Sequence, residues 1–117
     1  MLRKRADFLR AARARRQAAA GLTLQARRRE SAEAVDPATI RVGFTCSKKL
    51  GNAVARNRAK RRLRAVARAV LSGAGRPGWD YVLSGRPELT ASRRFADLQT
   101  DLSAALARIH APRHAPP

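Results

Sequence analysis

Apolar positions recur at a helical period over two stretches of the chain. Ala59, Leu63, Val66, Ala67 and Val70 fall on one side of a wheel turning about 100° per residue. They predict a helix running from the Gly51-Asn52 turn to about Leu71, ended by the glycine-rich residues 72–78. Phe95, Leu98, Leu102, Leu106 and Ile109, spaced three and four apart, predict a last helix that Ser92 is placed to cap. Between these helices and before them the period drops to two. Residues 22–27 alternate, and in residues 40–47 Ile40, Val42, Phe44 and Cys46 share one face. Residues 31–39 hold Asp36-Pro37 and no period, so the two runs predict an antiparallel hairpin. Residues 80–84 predict a third short strand, closed by Gly85-Arg86-Pro87. At the start, residues 5–20 predict a helix with a weak stripe of Phe8, Leu9, Ala11 and Ala12, an Asp7 cap and a stop at Gly21. Helix, strand, strand, helix, strand, helix is the order of an α+β fold with one sheet covered by helices.

Length and composition set the scale. A chain of 117 residues suits one domain, placed at residues 1–110, with residues 111–117 and their three prolines read as a frayed tail. Apolar residues are 44% of the chain and aromatics only 4%, so the core must come mainly from Leu, Val and Ile. One cysteine excludes an internal disulfide, and one cysteine with two C-terminal histidines does not make a structural zinc site. No run of apolar residues is long enough for a membrane span, and no apolar segment follows the basic start as a secretory signal requires. An Arg-rich, acid-poor start is compositionally like a mitochondrial transit peptide, but it flows directly into the domain. The expectation is a cytoplasmic protein with no obligate protein partner.

Charge changes the picture most. The net charge is +18. Eight Lys or Arg side chains lie between Lys48 and Arg64 with no acid among them. A solvated helix face ordinarily interleaves Glu with Lys, so this density points to a polyanion that neutralises it. A second basic block, residues 1–29, holds ten bases and one acid, Asp7. Whether the two blocks form one surface or two opposed ones stays open in the sequence. Within the basic helix, Asn57 between Arg56 and Arg58 suits a base edge or ribose hydroxyl, and is equally readable as surface filler. Phe8 beside Arg5 and Arg10 suits base stacking or core packing. Cys46 reads as a small buried hydrophobe, His110 and His114 as tail residues without a role, and Asp80 as a carboxylate that could bind a metal but has no partner carboxylate nearby in sequence. No catalytic dyad, triad or metal cluster is visible, which argues against a protein-only nuclease. Ribosomal, RNA-processing and DNA-binding roles remain.

The segment Ser47-Lys48-Lys49-Leu50-Gly51-Asn52-Ala53-Val54-Ala55-Arg56-Asn57-Arg58-Ala59-Lys60-Arg61 resembles the signature of the bacterial ribonuclease P protein family. Lys4-Arg5-Ala6-Asp7-Phe8, Arg41-Val42-Gly43-Phe44, and Asp80-Tyr81-Val82-Leu83 with Gly85-Arg86-Pro87 extend the likeness along most of the chain. The resemblance implies an α-β-β-α-β-α fold with a left-handed β-α-β crossover, against the usual hand. It implies a partner, a large catalytic RNA that removes the 5′ leader of precursor tRNA, with Mg2+ held by that RNA and no cofactor site on the protein. By matching position, Arg56, Asn57, Arg58, Lys60, Arg61, Arg64 and Arg68 meet the catalytic RNA. Phe8, Ala12, Gln25, Lys48, Lys49 and Arg86 line a cleft for the leader of precursor tRNA. Two positions depart from the family's habit: Ala12 and Gln25 stand where aromatic residues are common. A groove built this way stacks fewer bases and leans more on charge, which implies a salt-sensitive leader contact.

Overall fold

The computed structural model describes residue 2, residues 4–30, residue 36 and residues 38–111, the Arg13 side chain apart. Its helices are α1 (Arg5–Arg13), α2 (Ala53–Ala74), α3 (Leu89–Ser92) and α4 (Phe95–Ile109). Its strands are β1 (Arg15–Ala18), β2 (Leu22–Arg28), β3 (Arg41–Thr45) and β4 (Trp79–Gly85). They form one mixed sheet in the order β1-β2-β4-β3. The chain is therefore a small α+β domain.

The strand pairing differs from the expected hairpin. β2 and β3 do not pair; β4 lies between them, antiparallel to β2 and parallel to β3. Parallel neighbours need a long connection, and α2 supplies it between β3 and β4. The first helix is also shorter than expected. It ends at Arg13, and residues 15–18 become the edge strand β1, with Arg16 opposite Gln25 and Ala18 opposite Thr23. Asp7 is not a cap: the N-cap is Lys4, with no side-chain bond, and Asp7 instead approaches Arg10 and Arg41. Ser92 closes α3, and α4 begins after Arg94 without a side-chain cap.

Alternation assigns the two sheet faces. One carries Leu22, Leu24, Ala26, Tyr81 and Leu83, with Val42 and Phe44 from β3; α2 and α4 cover it through Leu63, Val66, Leu71, Leu98, Leu102 and Leu106. Each fully buried leucine there contributes about 1.5–3 kcal/mol. Phe95, expected in this stripe, is exposed instead. The other face carries a thin cluster: Leu2, Ala11 and Val82, with Phe8 half-buried against them. A Cβ on Gly43 would stand 2.7 Å from the Phe8 ring, so glycine lets that ring lie against the sheet.

Candidate nucleic-acid interface

Local sequence fixes where the basic helix starts. Lys48–Leu50 form one 3-10 turn, and Gly51 then takes φ +122°, a conformation that disfavours a Cβ. Asn52 follows as N-cap, its Oδ1 accepting the Ala55 N–H at 2.9 Å. From there Ala59, Leu63, Val66, Ala67 and Leu71 face the core, which turns Asn57, Arg58, Arg61, Arg64 and Arg68 to solvent. Lys60 and Arg56 are half-buried on the flank nearest Cys46, and the Nε of Arg56 is buried with no acceptor among the described residues. The Arg64 guanidinium lies 5.8 Å from the centre of the Phe44 ring, which braces it over the edge strand. Arg62 has a different task, donating to the Arg93 carbonyl. Arg93 in turn grips Asp101 through Nε and Nη2 at 2.7 and 3.0 Å, joining α2 to the start of α4.

Of the residues expected in the leader cleft, Phe8 and Gln25 share the sheet face opposite α2 and α4. Register puts Arg16, Gln25, Val82 and Gly43 in one row, with Phe8 above Gly43. The next row is Ala18, Thr23, Ser84 and Thr45, where the Thr45 and Ser84 hydroxyls meet at 2.7 Å. Exposed Lys48 and Lys49 follow β3 at the end where β4 delivers Arg86. Arg86 is half-buried and partly committed, its Nη1 donating to the Ala19 carbonyl at 2.6 Å. Ala12 is exposed on α1 and adds no ring. Arg16, exposed beside Gln25, was missed in the sequence because its segment reads as helix.

Asp80 has a structural task that its sequence neighbours do not reveal. It is fully buried, and three arginines converge on it. Arg29 Nη1 donates at 2.6 Å, Arg41 through Nε and Nη2 at 2.8 and 2.7 Å, and Arg27 Nη2 at 3.2 Å. Burial pushes the carboxyl up, but the hydrogen bonds from Arg41 and Arg29 outweigh it and hold Asp80 below the ordinary carboxylate range. His110 also departs from expectation: it caps α4, and its Nε2 meets the Tyr81 hydroxyl at 2.7 Å. His114 lies outside the described residues. Cys46 is half-buried, and burial pushes its thiol up. Among the described residues no group of three or more His, Cys, Asp or Glu is placed to hold a metal, and no helix is long and apolar enough to cross a membrane.

Residues 1–110 match the family model for ribonuclease P. The chain is 66% identical to the ribonuclease P protein component of Ruegeria pomeroyi over 97% of its own length and 88% of that protein's. It is 50% identical to the component of Paramagnetospirillum magneticum over 94% and 82% of the two chains. The ribonuclease P protein from Thermotoga maritima superposes with a TM-score of 0.73 at 26% identity, covering 93% of this chain and 96% of that one. The Staphylococcus aureus protein does so with 0.72 at 24%, covering 93% and 94%. A chain with this signature helix, this mixed four-stranded sheet and this identity to its relatives belongs to the ribonuclease P protein component family.

Proposed function

We propose that this chain is the protein subunit of a ribonuclease P ribonucleoprotein, the endoribonuclease that frees the tRNA 5′ end. The observation that carries the reading is the outer face of α2. Asn57, Arg58, Arg61, Arg64 and Arg68 stand exposed on it with no acid along the helix. Guanidinium forks grip phosphate oxygens in pairs, and Asn57 adds a short amide able to read a ribose or base edge. The catalytic RNA is the partner of this face, with Lys60 and Arg56 on its flank.

The 5′ leader of precursor tRNA runs along the other face of the sheet. Phe8 offers one ring beside the row of Gln25 and Arg16; Thr23, Thr45 and Ser84 line the floor. Lys48, Lys49 and Arg86 close the end. With Ala12 and Gln25 in place of further rings, the leader is held mainly by charge, at about 0.7 of a counterion per neutralised phosphate of a single strand. Hydrolysis is carried by Mg2+ ions that belong to the RNA. The protein's residues bind and orient two RNAs and screen their mutual repulsion.

The test is cleavage of a 5′-extended precursor tRNA by the cognate catalytic RNA at low magnesium, with and without the protein. RNA alone should be nearly inactive, the protein alone inert, and the mixture should cut at the mature 5′ end. No stimulation by the protein would overturn the reading. Equal affinity of the assembled particle for mature and 5′-extended tRNA would overturn its leader half.

A further inference from the structure

A second basic concavity lies apart from both surfaces. It is about 500 Å³ and is lined by Arg15, Arg27, Arg28, Arg76, Trp79 and His110 among others. Arg28 pairs with Trp79 at the start of β4, and Lys48, Lys49 and Arg86 lie beyond the opposite ends of β3 and β4. It opens where α4 finishes, on the helix-covered side of the sheet, whereas α1 and the leader row occupy the other side.

Four arginines and, among the described residues, no carboxylate line it. Arg27 is held by Asp80, and Arg15 is pinned, its Nη1 donating to the Ile109 carbonyl at 2.7 Å and its guanidinium 5.4 Å from the centre of the Trp79 ring. Arg28 and Arg76 are exposed, and their guanidinium groups have no partner among the described residues. The floor holds a polar group without a partner. The Tyr81 hydroxyl accepts the Arg76 backbone N–H at 2.9 Å and meets His110 Nε2 at 2.7 Å. The other ring nitrogen, Nδ1, is buried with no hydrogen-bond partner among the described residues. The ring stays neutral because burial, then Arg76 and Arg15, push its pKa down to about 4. Like charges gathered in a concavity call for an anion with several acceptor oxygens.

We propose that this pocket binds a phosphate group of an RNA chain through Arg15, Arg28 and Arg76, giving the protein a third RNA contact. The proposal rests on the preceding reading only in taking RNA as the source of the phosphate. Trp79 is the single tryptophan of the chain, so its fluorescence reports directly on the pocket.

The experiment titrates the full-length protein with a single-stranded RNA oligonucleotide and, separately, with inorganic phosphate at matched ionic strength. RNA should change Trp79 emission saturably, at concentrations at least about tenfold below those of phosphate ion. The double variant Arg28→Gln, Arg76→Gln should weaken that response about tenfold or more. It should also reduce the slope of log K against log salt by about 1.4. The double variant Arg61→Gln, Arg64→Gln, with the same loss of charge, should leave the Trp79 response in place. An emission unmoved by RNA, a response untouched by the Arg28 and Arg76 changes, or phosphate ion binding as tightly as RNA would each overturn the proposal. Absence of any Trp79 response in the parent protein, with precursor cleavage still stimulated, sinks the pocket alone. A Trp79 response without stimulated cleavage keeps the pocket and sinks the subunit reading.

Discussion

Arginine fills two opposite roles in this molecule. Around Asp80, Arg27, Arg29 and Arg41 are drawn inward from β2, the segment after it and β3, and share one buried carboxylate. Arg41 also reaches Asp7 on α1 at 3.5 Å, so the knot fastens the first helix to the sheet. On α2, Arg58, Arg61 and Arg68 point outward with no acid near them in sequence. The first set has its counter-charge built in and holds the fold. The second has its counter-charge elsewhere, and costs the isolated protein self-repulsion. A charge count therefore says little about role; the location of the counter-ion decides it.

The largest expected effect tests the inward set. Asp80→Asn leaves three guanidinium groups without their shared anion and should cost about 3–5 kcal/mol in urea unfolding. The Arg61→Gln, Arg64→Gln protein should stay within about 0.5 kcal/mol of the parent. Equal losses would erase the distinction. The outward set is read by affinity instead. At about 1.5–3 kcal/mol per charge-assisted bond, that double variant should bind the catalytic RNA about a hundredfold more weakly, with a shallower salt slope in filter binding. The seam between knot and cleft is probed by Gly43→Ala, which drives a methyl into the Phe8 ring and should cost about 1–3 kcal/mol. Combining it with Phe8→Ala should cost less than the sum of the two, since the clash then has no partner.

The smallest effect is in pH. His110 titrates lower in the fold than unfolded, so the unfolded chain binds more protons between about pH 6.5 and pH 4. Stability should be full above that window and fall as pH drops through it. Solvent screening at this half-buried site trims the loss to about 1 kcal/mol, and His110→Gln should remove it. Asp80, whose pKa is also depressed, releases its contribution only below its ordinary value of 3.8. Two separate acid phases in a stability-versus-pH profile would tell the neutral histidine from the charged knot.

What was legible in the sequence was local. The apolar stripes of α2 and α4 and the alternation in β2 and β3 depend on near neighbours, and, Phe95 apart, they appear where the periods put them. The outward basic face follows from the α2 stripe by geometry alone. β1 was hidden because Arg15-Arg16-Gln17-Ala18 holds no β-branched residue and continues an Ala- and Arg-rich run. Pairing with β2 overrides that propensity. The hairpin expectation failed because β4, some fifty residues downstream of β2, takes the place between β2 and β3. Asp80 and its arginines lie 39 to 53 positions apart, so no local pattern could join them. His110 reads as tail until Tyr81 and Trp79 are seen beside it.

The central place of β4 also governs how the chain is made. Neither β2 nor β3 has its main partner until residues 79–85 have left the ribosome, although both strands are synthesised far earlier. Through that interval the nascent chain already carries the whole positive charge of α2 without a finished sheet beneath it. Beyond the β1–β2 pair its sheet closes late, when the seventh tenth of the sequence is past and a strand finally arrives to stand between the two that were waiting.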